Sequence, residues 1–118
     1  MTRALRLLLV EDHQDSADLL AMLLTNHGHV VSVARSAGAA LDLAETTAFD
    51  VVVSDVGLPD ASGYELMAKL RGKMKGIAIT GMGGAEAEAL GRAAGFSAHL
   101  IKPVSVRRLE QALDSLDV

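Results

Sequence analysis

The chain contains no cysteine and no tryptophan, and aromatic residues make up only 3% of it. Without cysteine there is neither a disulfide scaffold nor a cysteine-ligated zinc site, which suits a reducing, cytoplasmic setting. With so few rings, a base-stacking platform or an aromatic cage is not expected. No apolar run is long enough to span a bilayer, so no membrane contact is expected. Met1 to Arg6 leads straight into a strand-like segment and lacks the layout of a signal peptide. The net charge of −4 argues against non-specific nucleic-acid binding. What is present is a chain of 118 residues, half of them apolar. That fits one domain, residues 1–118, with enough material for a core and too much of it for disorder.

The organising stretch is Val51-Val52-Val53-Ser54-Asp55. Three β-branched residues run without alternation, as in a strand covered on both faces of a parallel sheet. Burying an unpaired carboxylate is costly, so Asp55 belongs where the strand emerges, at its carboxyl end. In open α/β sheets ligands bind at that end. Gly57 to Gly63 has turn composition, which places Asp55 at a strand-to-loop junction.

The same pattern recurs along the chain. Leu5 to Val10 is a first buried strand ending in Glu11-Asp12. Ala17, Leu20, Ala21 and Leu24 repeat at helical spacing, and Gly28 is placed to follow the helix end. Val30 to Val33 is a second strand, and Ser36 caps a helix carrying Ala37, Ala40, Leu41 and Ala44. Val51 to Ser54 is the third strand; Ser62 caps the next helix, with Leu66, Met67 and Leu70 inward. Lys73 to Gly76 reads as a loop before a fourth strand, Ile77 to Ile79, which ends in Thr80. A helix from about Ala85 to Ala94 stops at Gly95, and a fifth strand, Ser97 to Ile101, runs into Lys102-Pro103. The last helix turns Val106, Leu109, Leu113 and Leu116 inward. His13 and His27 read as solvent-facing, and Met22, Met67 and Met74 as packing or surface residues. Five strands alternating with five helices predict a (βα)5, doubly wound α/β fold with a parallel sheet.

In such a sheet all the strand ends lie on one edge. Glu11, Asp12, Asp55, Thr80 and Lys102 therefore converge in space. Three neighbouring carboxylates repel one another, and a divalent cation relieves that repulsion. Hard oxygen donors suit magnesium, whereas the absence of cysteine and of paired histidines makes zinc a poor fit. A cation and a fixed ammonium beside a free carboxylate and a hydroxyl fit phosphoryl transfer, with the carboxylate as nucleophile.

At this point the sequence resembles the receiver domains of two-component response regulators, the CheY-like group of flavodoxin-like folds. The features that carry the likeness are Leu-Leu-Val-Glu11-Asp12, Ser54-Asp55-Val-Gly-Leu-Pro59-Asp-Ala-Ser-Gly63, Ile-Ala-Ile-Thr80-Gly81 and Leu-Ile-Lys102-Pro103. The resemblance implies a five-stranded sheet in the order 2-1-3-4-5. It implies that Asp55 accepts a phosphoryl group from a phosphohistidine on a histidine kinase or histidine phosphotransfer protein. Mg2+ would be held by Asp12, Asp55 and the main-chain carbonyl of Gly57, with Glu11 acting through water. Thr80 and Lys102 would bind phosphoryl oxygens, and the Lys102-Pro103 bond would be cis. Thr80 and His99 would form the switch that alters the face of the fourth helix, fifth strand and fifth helix for a downstream protein partner. Such a domain catalyses its own phosphorylation without being an enzyme in the usual sense.

Two positions depart from the common pattern. Tyrosine or phenylalanine is usual where His99 stands, and histidine is polar and titrates near neutrality. Gly81-Met82-Gly83-Gly84 is unusually glycine-rich and predicts a mobile loop. Gly57 and Met82 offer no side chain to position a hydrolytic water, so slow to moderate dephosphorylation is expected. The segment Ala98 to Val104 resembles receivers attached to hybrid sensor histidine kinases, and excision from a longer chain is the expectation. The alternatives are a phosphate-independent interaction module of the same fold and a small enzyme or flavin binder on a flavodoxin-like fold, since fold alone does not decide function.

Overall fold

The computed structural model describes residues 4–118. Five strands and five helices alternate: β1 (Arg6–Val10), α1 (Gln14–Asn26), β2 (Val30–Ala34), α2 (Ala37–Thr46), β3 (Val51–Asp55), α3 (Gly63–Leu70), β4 (Lys75–Thr80), α4 (Ala85–Ala94), β5 (Ala98–Ile101) and α5 (Val106–Asp114). All strand pairs are parallel, and the sheet order is β2-β1-β3-β4-β5. The resemblance-based order is thus borne out.

The uninterrupted apolar runs have a direct cause: both sheet faces are covered, so both sets of alternate side chains are buried. Leu7, Leu9, Val51, Val53, Ile77 and Ile79 pack on one face with Leu24 of α1 and with Leu109 and Leu113 of α5. Leu8, Val10, Val52 and Ala78 point the other way, toward Ala37 and Ala40 of α2 and Leu66, Met67 and Leu70 of α3. The helices are delimited by the expected signals. Ser36, Ser62 and Ser105 each accept a hydrogen bond from a first-turn backbone N–H at 3.1 Å. Gly95 closes α4 in the left-handed conformation, φ 117°.

The expected loop at Lys73–Gly76 is shorter than foreseen, because Lys75 and Gly76 already belong to β4 and pair with Val51 and Val52. Gly76 is needed there: a Cβ would collide with Met67 Sδ and come within 2.9 Å of Phe96 Cδ1. Leu116 is buried as expected, although α5 has already ended. Among the described residues, no helix is long and apolar enough to cross a membrane.

Two polar anchors fix connections that the strands alone leave loose. The Asp60 carboxylate accepts from the backbone N–H groups of Ala37 and Gly38, both at 2.9 Å. These two donors hold its carboxyl below the ordinary carboxylate range and tie the β3–α3 loop to the start of α2. At the opposite end of the sheet, His29 is buried with Glu110. Leu5 N–H donates to His29 Nδ1 at 3.1 Å, so the ring proton sits on Nε2 and is donated to Glu110 at 2.8 Å. That pair joins β1, the start of β2 and α5.

Candidate phosphoryl-acceptor site

The carboxyl edge of the sheet gathers the residues singled out from the sequence. β3 delivers Asp55 as its last residue, 8% exposed. Its Oδ2 accepts from Lys102 Nζ at 2.5 Å, and its Oδ1 accepts from the Gly57 backbone N–H at 3.2 Å. Lys102 reaches it from just beyond β5, where Lys102 N–H is fixed to the carbonyl of Thr80 at 2.8 Å. The Lys102-Pro103 peptide is cis, as expected. Burial works against the ammonium of Lys102. The hydrogen bond and charge of Asp55, with the charge of Glu11, outweigh that and raise its pKa.

β1 delivers Glu11 and Asp12. Glu11 is buried and lies 3.6 Å from Lys102 Nζ. Burial raises its pKa; Lys102 opposes the rise, and Asp55 adds to it. Arg35, just after β2, grips the carbonyl of Asp12 with Nε at 3.1 Å and Nη2 at 2.8 Å. That clamp engages only the main chain of Asp12; its carboxylate Oδ1 is buried with no hydrogen-bond partner among the described residues and lies 3.3 Å from His13 Nδ1. The donor atoms of Glu11, Asp12 and His13 lie within 4.8 Å of one another. Glu11 links this trio to Asp55 through Lys102.

Three carboxylates outnumber the Lys102 ammonium and the Arg35 guanidinium held on the Asp12 main chain, so negative charge is in excess. A divalent cation relieves that excess, and the Asp12 oxygen that accepts no hydrogen bond is a ready hard-oxygen ligand. The residues therefore fit a bound Mg2+.

Thr80 ends β4, 7% exposed, one position beyond the strand partner of Asp55. Its Oγ1 accepts from Met82 N–H at 3.1 Å, so its hydroxyl proton is uncommitted there. His99 on β5 pairs with Ala78, away from the acids. It is half-buried, and neither ring nitrogen has a hydrogen-bond partner among the described residues. Gly57 is exposed and bridges to Ser62. A cleft of about 500 Å³ opens beside the site, shared by Glu11, Asp55 and Lys102 with Leu19, Leu23 and Val104.

Sequence reasoning missed Arg35 and did not count His13 among the donors. Adjacency to Glu11-Asp12 was the available signal for His13. For Arg35 there was none, because its bond to Asp12 depends on how β1 and β2 pair.

Comparison with known proteins agrees with this geometry. Residues 7–114 match the family described as the response regulator receiver domain. The chain is 37% identical over 103 residues to an uncharacterized 14.6 kDa protein of Leptolyngbya boryana, covering 83% of this chain and 79% of that one. It is 32% identical over 108 residues to the transcriptional regulatory protein CusR of Escherichia coli K12, covering 89% of this chain and 48% of CusR. It is 36% identical over 121 residues to the virulence sensor protein BvgS of Bordetella pertussis, covering 94% of this chain and 10% of BvgS. The chain thus spans about half of CusR and a tenth of BvgS. Among solved structures, a CheY-like receiver domain protein from Methanospirillum hungatei superposes with a TM-score of 0.83 at 32% identity, covering 95% of both chains. Vibrio cholerae CheY4 superposes at 0.88 with 26% identity, covering 95% of this chain and 98% of that one. The chain belongs to the response regulator receiver domain family.

Proposed function

We propose that this receiver is switched by Mg2+-dependent transfer of a phosphoryl group from a phosphohistidine to Asp55. The observation that carries the reading is the Lys102 ammonium on Asp55 Oδ2 at 2.5 Å, beside an acid pair with an unpartnered oxygen. An Asp55 oxygen attacks phosphorus; the O–P bond forms as the N–P bond to the donor imidazole breaks. Lys102 leaves the carboxylate to pair with a phosphoryl oxygen, and the free hydroxyl proton of Thr80 is donated to another. Asp12 and Asp55, the carbonyl of Gly57 and, through water, Glu11 would hold the cation. Bound there, magnesium would neutralise the phosphoryl oxygens.

The new phosphate carries about −1.5 to −2 charges at neutral pH, which re-aims Thr80 and, behind it, His99. Met82, Leu90 and Ile101 are exposed apolar residues around α4 and β5. They support the α4-β5-α5 face as the surface read by a downstream protein. The donor is a histidine kinase or histidine phosphotransfer protein, the domain comprises residues 1–118, and its setting is the cytoplasm.

The test is intact-protein mass after incubation with acetyl phosphate, with and without Mg2+, on the wild type and on Asp55→Asn. A gain of one phosphoryl group that requires both Mg2+ and Asp55 is the expected result. A folded protein that gains nothing in any condition refutes the reading in favour of a phosphate-independent interaction module.

A further inference from the structure

His13 occupies the N-cap position of α1, yet its side chain makes no capping hydrogen bond. The ring is 73% exposed, and its Nδ1 lies 3.3 Å from Asp12 Oδ1 and 3.7 Å from Glu11 Oε2. Two atoms that each bind one ion at about 2.1 Å stand about 3.0–3.4 Å apart at octahedral to tetrahedral angles. The 3.3 Å separation from Asp12 Oδ1 falls in that range; the 3.7 Å separation from Glu11 does not, in keeping with an acid that acts through water. Asp12 Oδ1 is buried and accepts no hydrogen bond from the described residues, and Arg35 holds the Asp12 main chain in place. Neither the imidazole of His13 nor that oxygen is engaged in a hydrogen bond with the described residues.

We propose that His13 supplies a nitrogen ligand to the cation held at Asp12, with Glu11 acting on it through water. The site then takes a borderline first-row transition cation, with Ni2+ as the probe, more tightly than its carboxylates alone would. Mg2+ demands oxygen donors and keeps its waters, so it gains little from an imidazole. Ni2+ and its neighbours bind imidazole well. The inference rests on the proposed function only in taking the acid pair as a divalent-cation site.

The experiment is calorimetric titration of MgCl2 and NiCl2 into the whole chain as wild type, His13→Ala, His13→Asn and His27→Ala. Asparagine is a good N-cap, so His13→Asn removes the ring without weakening the start of α1. Both His13 variants are expected to lose about tenfold or more in Ni2+ affinity. Their Mg2+ affinity should change by less than about twofold. His27→Ala should leave both affinities unchanged. Pulsed EPR of the Mn2+-loaded wild type should show nitrogen coupling that the His13 variants lack. Mg2+ binding with a Ni2+ affinity indifferent to His13 overturns this inference alone. Absence of binding by either ion overturns it together with the cation in the proposed function.

Discussion

Gly63 opens α3 directly beneath the residue on which the site depends. A Cβ built there collides with the main-chain carbonyl oxygen of Asp55 and comes within 2.9 Å of Val56 Cα. Neither obstacle is a side chain that can swing aside. Gly63→Ala must therefore shift backbone on the order of 1 Å in a loop already pinned by Gly63 N–H donating to the Val56 carbonyl at 2.7 Å. Overpacking of this kind costs about 3 kcal/mol, the upper end of its usual range. With about 2.1 cal/mol/K of unfolding entropy per residue, a chain of 118 residues loses about 12 °C in Tm for that cost. Thermal melting followed by circular dichroism measures it. Gly81→Ala is the control, since nothing lies within 4 Å of a Cβ at that position. Its effect should stay within about 0.5 kcal/mol. A Gly63→Ala protein melting within about 3 °C of wild type would refute the reasoning from the close approach.

Gly91 lies inside α4, and a Cβ there meets only Tyr64, His99 and Phe96 atoms at 3.7–3.8 Å, ordinary contact distances. Gly91→Ala should therefore stabilise by about 0.8 kcal/mol in urea denaturation, and a loss of stability would contradict the ordinary contacts assigned to the added methyl. Glu110→Ala leaves the Nε2–H of fully buried His29 without its acceptor. The expected cost is about 3 kcal/mol, and a cost below about 1 kcal/mol would mean that water replaces the carboxylate. Asp60 stabilises the fold through a lowered pKa, so its contribution is present above the unfolded carboxylate pKa and is lost as pH falls through the folded value. The urea midpoints of wild type and Asp60→Ala should differ steadily from pH 7 to 5 and converge below about pH 4. A gap that persists into acid would assign the anchor to something other than the charge.

The architecture was legible because its signals are local. Apolar runs, serine caps and terminal glycines are each written within a few residues, and α4 has the bounds read from its alanines and Gly95. The candidate site was legible because parallel topology sends every strand end the same way, so Asp55 and Lys102 could be brought together across 47 positions. What escaped notice depends on packing between distant segments. His29 stands between a helix stop and a strand with no local signal of its own, and its partner stands 81 positions away. Gly76 has loop character in isolation, and only Met67 and Phe96 pressing on it explain why a strand position carries a glycine.

Lys102 follows β5, which lies at the margin of the sheet and pairs only with β4. Asp55 sits on β3, hydrogen-bonded on both sides. A strand with one neighbour opens at a lower free energy than one with two, so amide exchange should be faster in β5 than in β3. Fraying of that four-residue margin therefore disturbs the site at a lower free energy than global unfolding does. A protein that melts as one unit can still spend brief intervals with its acids intact and the Lys102 ammonium withdrawn from them.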